Sequence, residues 1–277
     1  MSTASTFTRQ LTISDIPMPA KSVGAHLAAK LQHFQTDERT LTDELCDMLC
    51  IWLGMPSLHF VQFSPQPSPS FTLTLSKTTT SEEVKNGADL ELFVSSPLGV
   101  KRCLIQAKVL DPVSGRLRCN SSTGWRKLRT QLVAARREVG DLAFLLVYVP
   151  GANLDGNNYG CMTYEQQNHF KATGTEPAYF GATLIPVNSL LDASDCWLDP
   201  KLKVPQLTAG KFKNGFAFWY VLVELLLCRR STWTTDPGPK HEERMKTFRR
   251  FSIGVSDISA EVWLQIQETA DQYLDIS

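Results

Sequence analysis

The chain has 277 residues, 43% of them hydrophobic, and its 28 basic and 28 acidic side chains cancel. This allows a sizeable core and excludes a global basic field, so a nucleic acid would have to be held by a local patch. The seven cysteines form no Cys-x-x-Cys pair, which indicates reduced thiols and a cytoplasmic setting.

In chain order, residues up to about Ala20 read as a flexible leader with no secretory signal, and Val23 to Phe34 as a short helix carrying His26 and His33. A second helix is expected from Thr40 to Leu53. Thr40 and Asp43 have the spacing of a capping box, and Leu41, Leu45, Met48, Leu49 and Trp52 form the apolar stripe. Cys46 and Cys50, one turn apart, read as ordinary buried thiols. Glu44 falls at the edge of the stripe, either as a solvated or paired carboxylate or as one that reaches a site on the neighbouring sheet. Leu58 to Phe63 alternates like a strand, Phe71 to Leu75 reads as its return, and Thr78 to Asn86 as a polar loop.

Gly87 to Val94 and Leu104 to Val109 both alternate, and the gap between them suits a hairpin. Residues two apart share a face of a strand, so Asp89 and Glu91 point one way, and so do Gln106 and Lys108. Pairing the strands would gather a carboxylate, an amide oxygen and an ammonium. The two oxygens suit a hard cation such as Mg2+ or Mn2+. The lysine can hold a water and offset negative charge on a phosphate.

Asp111 to Ser122 is turn-rich. Thr123 to Val139 has a helical period, with Trp125, Leu128, Leu132, Ala135 and Val139 on one face. Its other positions include Arg126, Lys127, Arg129, Gln131, Arg136 and Arg137, the densest basic stretch of the chain. It reads either as a solvated face or as a phosphate-binding one, since guanidinium groups match phosphate oxygens. Leu142 to Val149 is a continuous apolar run, as in a buried strand.

Beyond Pro150, Glu165 to Ala172 reads as a short helix and Phe180 to Val187 as a strand. Phe212 to Cys228 reads as a buried helix, its apolar part too short to span a bilayer and interrupted by Glu224. His241 to Arg250 reads as a charged helix with a second basic cluster at Arg244, Lys246, Arg249 and Arg250, and Ser259 to Tyr273 as a closing amphipathic helix. No P-loop, Gly-x-Ser-x-Gly elbow, His-Glu-x-x-His motif or internal repeat is present, which removes the usual support for an ATPase, a serine hydrolase or a zinc protease.

Gly87-Ala88-Asp89 followed by Gln106-Ala107-Lys108 resembles the signature of the restriction-endonuclease-like PD-(D/E)XK nucleases: an acidic residue on one strand, then Glu or Gln, any residue, and Lys on the next. The likeness covers roughly Thr40 to Pro150 and is nearest to bacterial defence and restriction nucleases with Gln at the second position.

The resemblance implies an α/β fold with a mixed central sheet flanked by helices, an α-β-β-β-α-β core over residues 40–190. A leader and short helix (1–39) would precede it, and a mostly helical extension (191–277) would pack on it. It further implies a metal-dependent DNA nuclease, the effector of a defence or restriction system. Asp89 and Gln106 would hold Mg2+ or Mn2+, and Lys108 would position the attacking water. Glu44 would be the carboxylate that members carry on the helix before the sheet, Glu91 a reserve carboxylate, and Gln131 a contact to the scissile phosphate. Arg126, Lys127, Arg129 and Arg136 would bind DNA. A sensor or helicase partner and a homo-oligomer fit the same picture; a membrane partner does not. Gln106 departs from the more usual Glu and brings no charge, so the alternative is a catalytically inactive module that binds nucleic acid or a protein partner.

Overall fold

The computed structural model describes residues 10–11, 17–54, 71–96, 99–113, 117–119, 122–151, 181–191, 215–226 and 250–255. These residues form one mixed sheet of eight strands in the order β1-β8-β2-β3-β4-β5-β6-β7. The strands are β1 (Gln10–Leu11), β2 (Phe71–Lys77), β3 (Leu90–Ser96), β4 (Gly99–Val109), β5 (Ala143–Tyr148), β6 (Ala182–Pro186), β7 (Phe216–Ala217) and β8 (Arg250–Val255). Six have five residues or more; β1 and β7 have two. The sheet is mostly antiparallel, with parallel pairing only at β1–β8 and β4–β5 among these strands.

Among the described residues six α-helices flank it: α1 (Pro17–His33), α2 (Glu38–Gly54), α3 (Thr80–Asn86), α4 (Ser122–Val139), α5 (Val187–Leu191) and α6 (Phe218–Leu226). The alternation of β3 and β4 sorts the core into two layers. Leu90, Leu92, Val94, Cys103, Ile105 and Ala107 pack with leucines of α1 and α2 and with α6. Leu104, Leu145 and Val147 face the other way and pack with Trp125, Leu128, Leu132 and Ala135 of α4. The parallel pairing of β4 and β5 requires a crossover, and α4 is that crossover.

Several sequence expectations change, among them the helix expected from Phe212 to Cys228, whose Phe216 and Ala217 form a strand instead. Thr78 to Asn86 is not a loop throughout, because α3 occupies most of it. Thr79 caps the helix: its hydroxyl accepts the Glu82 N–H at 3.3 Å, and its own N–H reaches Glu82 Oε2 at 3.1 Å. That is a capping box. The residues read as a leader contain β1 and the start of α1, where Pro17 and its fixed φ suit a first helical turn. The part after residue 190 is not only a helical extension, because β7 and β8 both belong to the central sheet and β8 pairs with β2 over Phe71–Ser76. Arg250, read as the end of a charged helix, opens that strand.

The Leu58 to Phe63 strand, the Glu165 to Ala172 and Ser259 to Tyr273 helices and the basic residues Arg244, Lys246 and Arg249 lie outside the described residues. Among the described residues no helix is long and apolar enough to cross a membrane.

Candidate active site

Asp89 sits at the mouth of β3, just after a tight exit from α3. Gly87 closes α3 in the left-handed region at φ 71°, and its N–H caps Glu83 O at 2.9 Å. The Asn86 side chain then accepts the Ala88 N–H at 3.0 Å. Asp89 itself is tied on both sides: its N–H donates to Ile105 O, and its carbonyl accepts from the Thr78 N–H, each at 2.9 Å. The β3–β4 register pairs Leu90 with Ile105, which sets Asp89 beside Gln106 and puts both side chains on one face.

The expected convergence is present. Asp89 Oδ2 accepts the Ala107 N–H at 2.7 Å and also accepts a hydrogen bond from Gln106 Nε2. Lys108 Nζ lies 2.7 Å from Ala107 O. Gln106 is 1% exposed, and its Oε1 is buried without a hydrogen-bond partner among the described residues. Such an orphan oxygen costs about 1–3 kcal/mol.

The carboxylate on the preceding helix is Glu38, not Glu44. Glu38 Oε1 is 2.7 Å from Lys108 Nζ. Glu44 is bound by α1 instead: His26 Nε2 is 2.8 Å from its Oε1, and Lys30 bonds its Oε2. Six residues on a helix amount to about 9 Å of rise and a different face, so the two glutamates cannot serve one site. The reason Glu38 is helical at all lies in the cap. Asp37, not Thr40, starts α2: its Oδ1 accepts the Thr40 N–H at 2.8 Å, and these bonds hold its carboxyl below the usual range. The turn is fixed from the sheet as well. Tyr148 donates its hydroxyl to Thr42 Oγ1 at 3.0 Å, and Thr42 donates to Glu38 O at 2.8 Å.

Burial dominates the electrostatics. It pushes both Asp89 and Glu38 above ordinary carboxylate values, against the pull of Lys108. Burial opposes the charge on Lys108 too, but Glu38 and Asp89 together outweigh it and hold Lys108 above its usual value. Lys108 is therefore an ammonium at neutral pH, with two carboxylates competing for it.

Glu91 shares the face of Asp89 but is committed elsewhere. Its Oε1 accepts from Arg102 Nη2 at 2.5 Å and from Asn86 Nδ2 at 3.3 Å, while Arg102 also binds Glu138 at 2.7 Å. A group missed by sequence reading, besides Glu38, is Glu83 on α3. Its Oε1 accepts from Gln131 Nε2 at 2.9 Å and lies 3.6 Å from Lys127 Nζ. Its charge acts on both Asp89 and Glu38. The Thr79-x-x-Glu82 capping spacing was the signal that could have placed it on a helix.

On α4, Gln131 and Lys127 lie about 40° apart at ~100° per residue, on the flank turned toward α3. Arg126, Arg129, Arg136 and Arg137 lie about a third of a turn or more from Gln131 by the same rotation. Arg126, Arg129 and Arg137 are exposed and Arg136 is half-buried. Of the basic side chains on α4, Lys127 is thus the one beside the acidic cluster, and the arginines form a separate surface.

Among the described residues no three His, Cys, Asp or Glu side chains close on a single point. A cation here would draw on the Asp89 carboxylate and the Gln106 amide oxygen. The donor chemistry fits a hard divalent ion. The amide now turns its N–H to Asp89 and leaves Oε1 idle. No protein-family model matches the chain, and no curated protein matches it.

Proposed function

We propose that this chain is a metal-dependent nuclease of the PD-(D/E)XK kind, hydrolysing phosphodiester bonds of DNA. The observation that carries the reading is the cluster of Asp89, Gln106, Lys108 and Glu38 at one end of β3 and β4. The run α2-β2-α3-β3-β4-α4-β5, with β4 and β5 parallel, resembles the α-β-β-β-α-β order that the motif implies but carries an additional helix, α3, between β2 and β3.

Asp89 and Gln106 would hold Mg2+ or Mn2+, which when bound supplies Lewis acidity and a more acidic water. Lys108, kept protonated by its two carboxylates, serves as a donor: it holds the attacking water or a non-bridging oxygen and offsets charge developing on the phosphate. It is a poor base for the same reason. A water proton is better taken by Glu38, whose burial brings it nearer to neutrality. Water oxygen bonds to phosphorus, the bridging oxygen leaves and is protonated, and a phosphate monoester and a hydroxyl remain.

The role of effector in a bacterial defence or restriction system, with a sensor or helicase partner, rests on the resemblance of the motif alone. The second reading, an inactive nucleic-acid-binding module, is favoured by one observation: Asp89 and Lys108 are already engaged within the chain, by Ala107 and Glu38. The test is cleavage of plasmid and single-stranded DNA by purified protein with Mg2+ or Mn2+, against EDTA and Lys108→Ala. Cutting that needs the metal and Lys108 supports the nuclease; DNA binding without any cutting favours the inactive module.

A further inference from the structure

Two donors on one flank of α4, Gln131 Nε2 and Lys127 Nζ, converge on a single carboxylate oxygen of Glu83 at 2.9 and 3.6 Å. An amide N–H and an ammonium one helical turn apart make an oxyanion site. Here it is filled from within the chain. The carboxylate is an awkward occupant, since it shares its surroundings with Asp89 and Glu38, and like charges raise both of those groups. One firm hydrogen bond, from Gln131, holds it. The Lys127 side chain is 70% exposed and that of Glu83 25%, and their separation is that of a weak surface pair. Its helix is short, and the neighbouring side chains Ser81, Val84 and Lys85 are exposed. Gln131, in contrast, is 8% exposed and fixed.

We propose that Glu83 is a built-in stand-in for a phosphate between Gln131 and Lys127, two residues for which the motif resemblance already implies nucleic-acid contacts, and that a nucleic-acid backbone displaces it on binding. The proposal deepens the nuclease reading and rests on it for the identity of the polyanion. A phosphodiester presents the same oxygen acceptors as the carboxylate. Its arrival exchanges the carboxylate for a backbone phosphate held by the same two donors. Glu83 would thereby weaken binding of nucleic acid in the resting protein and leave the site open only to an anion able to compete.

The experiment is a binding cycle with a short fluorescent DNA duplex, read by anisotropy in EDTA so that nothing is cut. It compares wild type, Glu83→Gln, Lys127→Gln, the double variant, and Asp47→Asn, an exposed acid on α2 that matches the charge change. Glu83→Gln should tighten binding roughly three- to tenfold and steepen the salt slope by about one unit, the equivalent of one further phosphate engaged. The gain should vanish in the double variant, whereas Lys127→Gln alone should change little because its partner is already engaged. Asp47→Asn should bind like wild type. A Glu83→Gln gain no larger than that of Asp47→Asn, or one that survives removal of Lys127, overturns the subsite; so does a failure of every variant to bind. Cleavage in Mg2+ or Mn2+ is measured in parallel. If the binding cycle behaves as stated and no variant cuts, the subsite stands and the nuclease reading falls.

Discussion

Gly87→Ala tests the architecture around the site most directly. Gly87 has φ 71°, and a Cβ built there would lie 2.0 Å from Gln131 O and 2.6 Å from Gln131 C. Placing an L-residue in the left-handed region costs about 1–2 kcal/mol, of which about 0.4–1 kcal/mol is returned by the stiffer unfolded chain. The clash adds about 1–3 kcal/mol for overpacking, near the upper end because the obstacle is backbone rather than a side-chain tip. The expected loss is about 2–4 kcal/mol. Gly140 is the internal control: its φ is 59° but nothing lies within 4 Å of the added carbon, so Gly140→Ala should cost only the conformational part, about 0–1.5 kcal/mol. Urea unfolding of both variants with a common m-value gives the difference. Equal losses at the two glycines would refute the close approach of α3 to α4, and with it the placement of Glu83 against Gln131.

Glu38→Gln should lower cleavage about 100-fold or more, as loss of a proton-transfer group does, and cost about 1–3 kcal/mol because Lys108 loses its carboxylate. Glu44→Gln should leave cleavage unchanged and cost about 0–1 kcal/mol, since it breaks only a surface cluster with His26 and Lys30; single-turnover kinetics and melts on both variants decide between the two glutamates. Asp89→Asn tests the raised carboxyl. A carboxylate whose folded pKa lies above its unfolded value, about 3.9 for Asp, weakens the fold in full above the folded pKa, and the penalty fades as pH falls from the folded pKa to the unfolded one. The variant should therefore melt higher than wild type at pH 7, with the advantage shrinking toward pH ~4; an advantage that grows on acidification contradicts the assignment. Replacing Arg126 and Arg129 together by Gln should weaken DNA binding and lower the salt slope by about one unit for each phosphate that the pair neutralises, with the rate at saturating DNA unchanged because these side chains lie off the site flank.

The Asp89–Gln106–Lys108 cluster was legible because it depends on two short-range rules: strict alternation along a strand, and pairing across a hairpin. Glu44 was misjudged because position at a stripe edge says that a side chain reaches the rim of the core without saying what waits there. The answer depended on where α2 begins, and Asp37 rather than Thr40 begins it. The arginines of α4 show the same gap from the other side. Their number was readable, but their flank follows from which neighbours the helix packs against. β8 was missed for another reason. Its pairing with β2 joins residue 71 to residue 255, and no local pattern in Arg250–Val255 announces so distant a partner.

That distant pairing bears on how the chain is made. During synthesis β2, β3, β4 and β5 emerge long before Arg250, so the segment that carries Asp89 and Lys108 is complete while one side of β2 still lacks β8, its partner there among the described strands. An uncovered edge of six residues is a template for joining another chain. β1, paired only with β8 among the described strands, cannot relieve it, although it leaves the ribosome first. The nascent protein thus passes through an interval in which the strands carrying Asp89 and Lys108 are formed and its sheet is open, and interruption of synthesis in that interval should yield aggregates rather than a smaller folded protein.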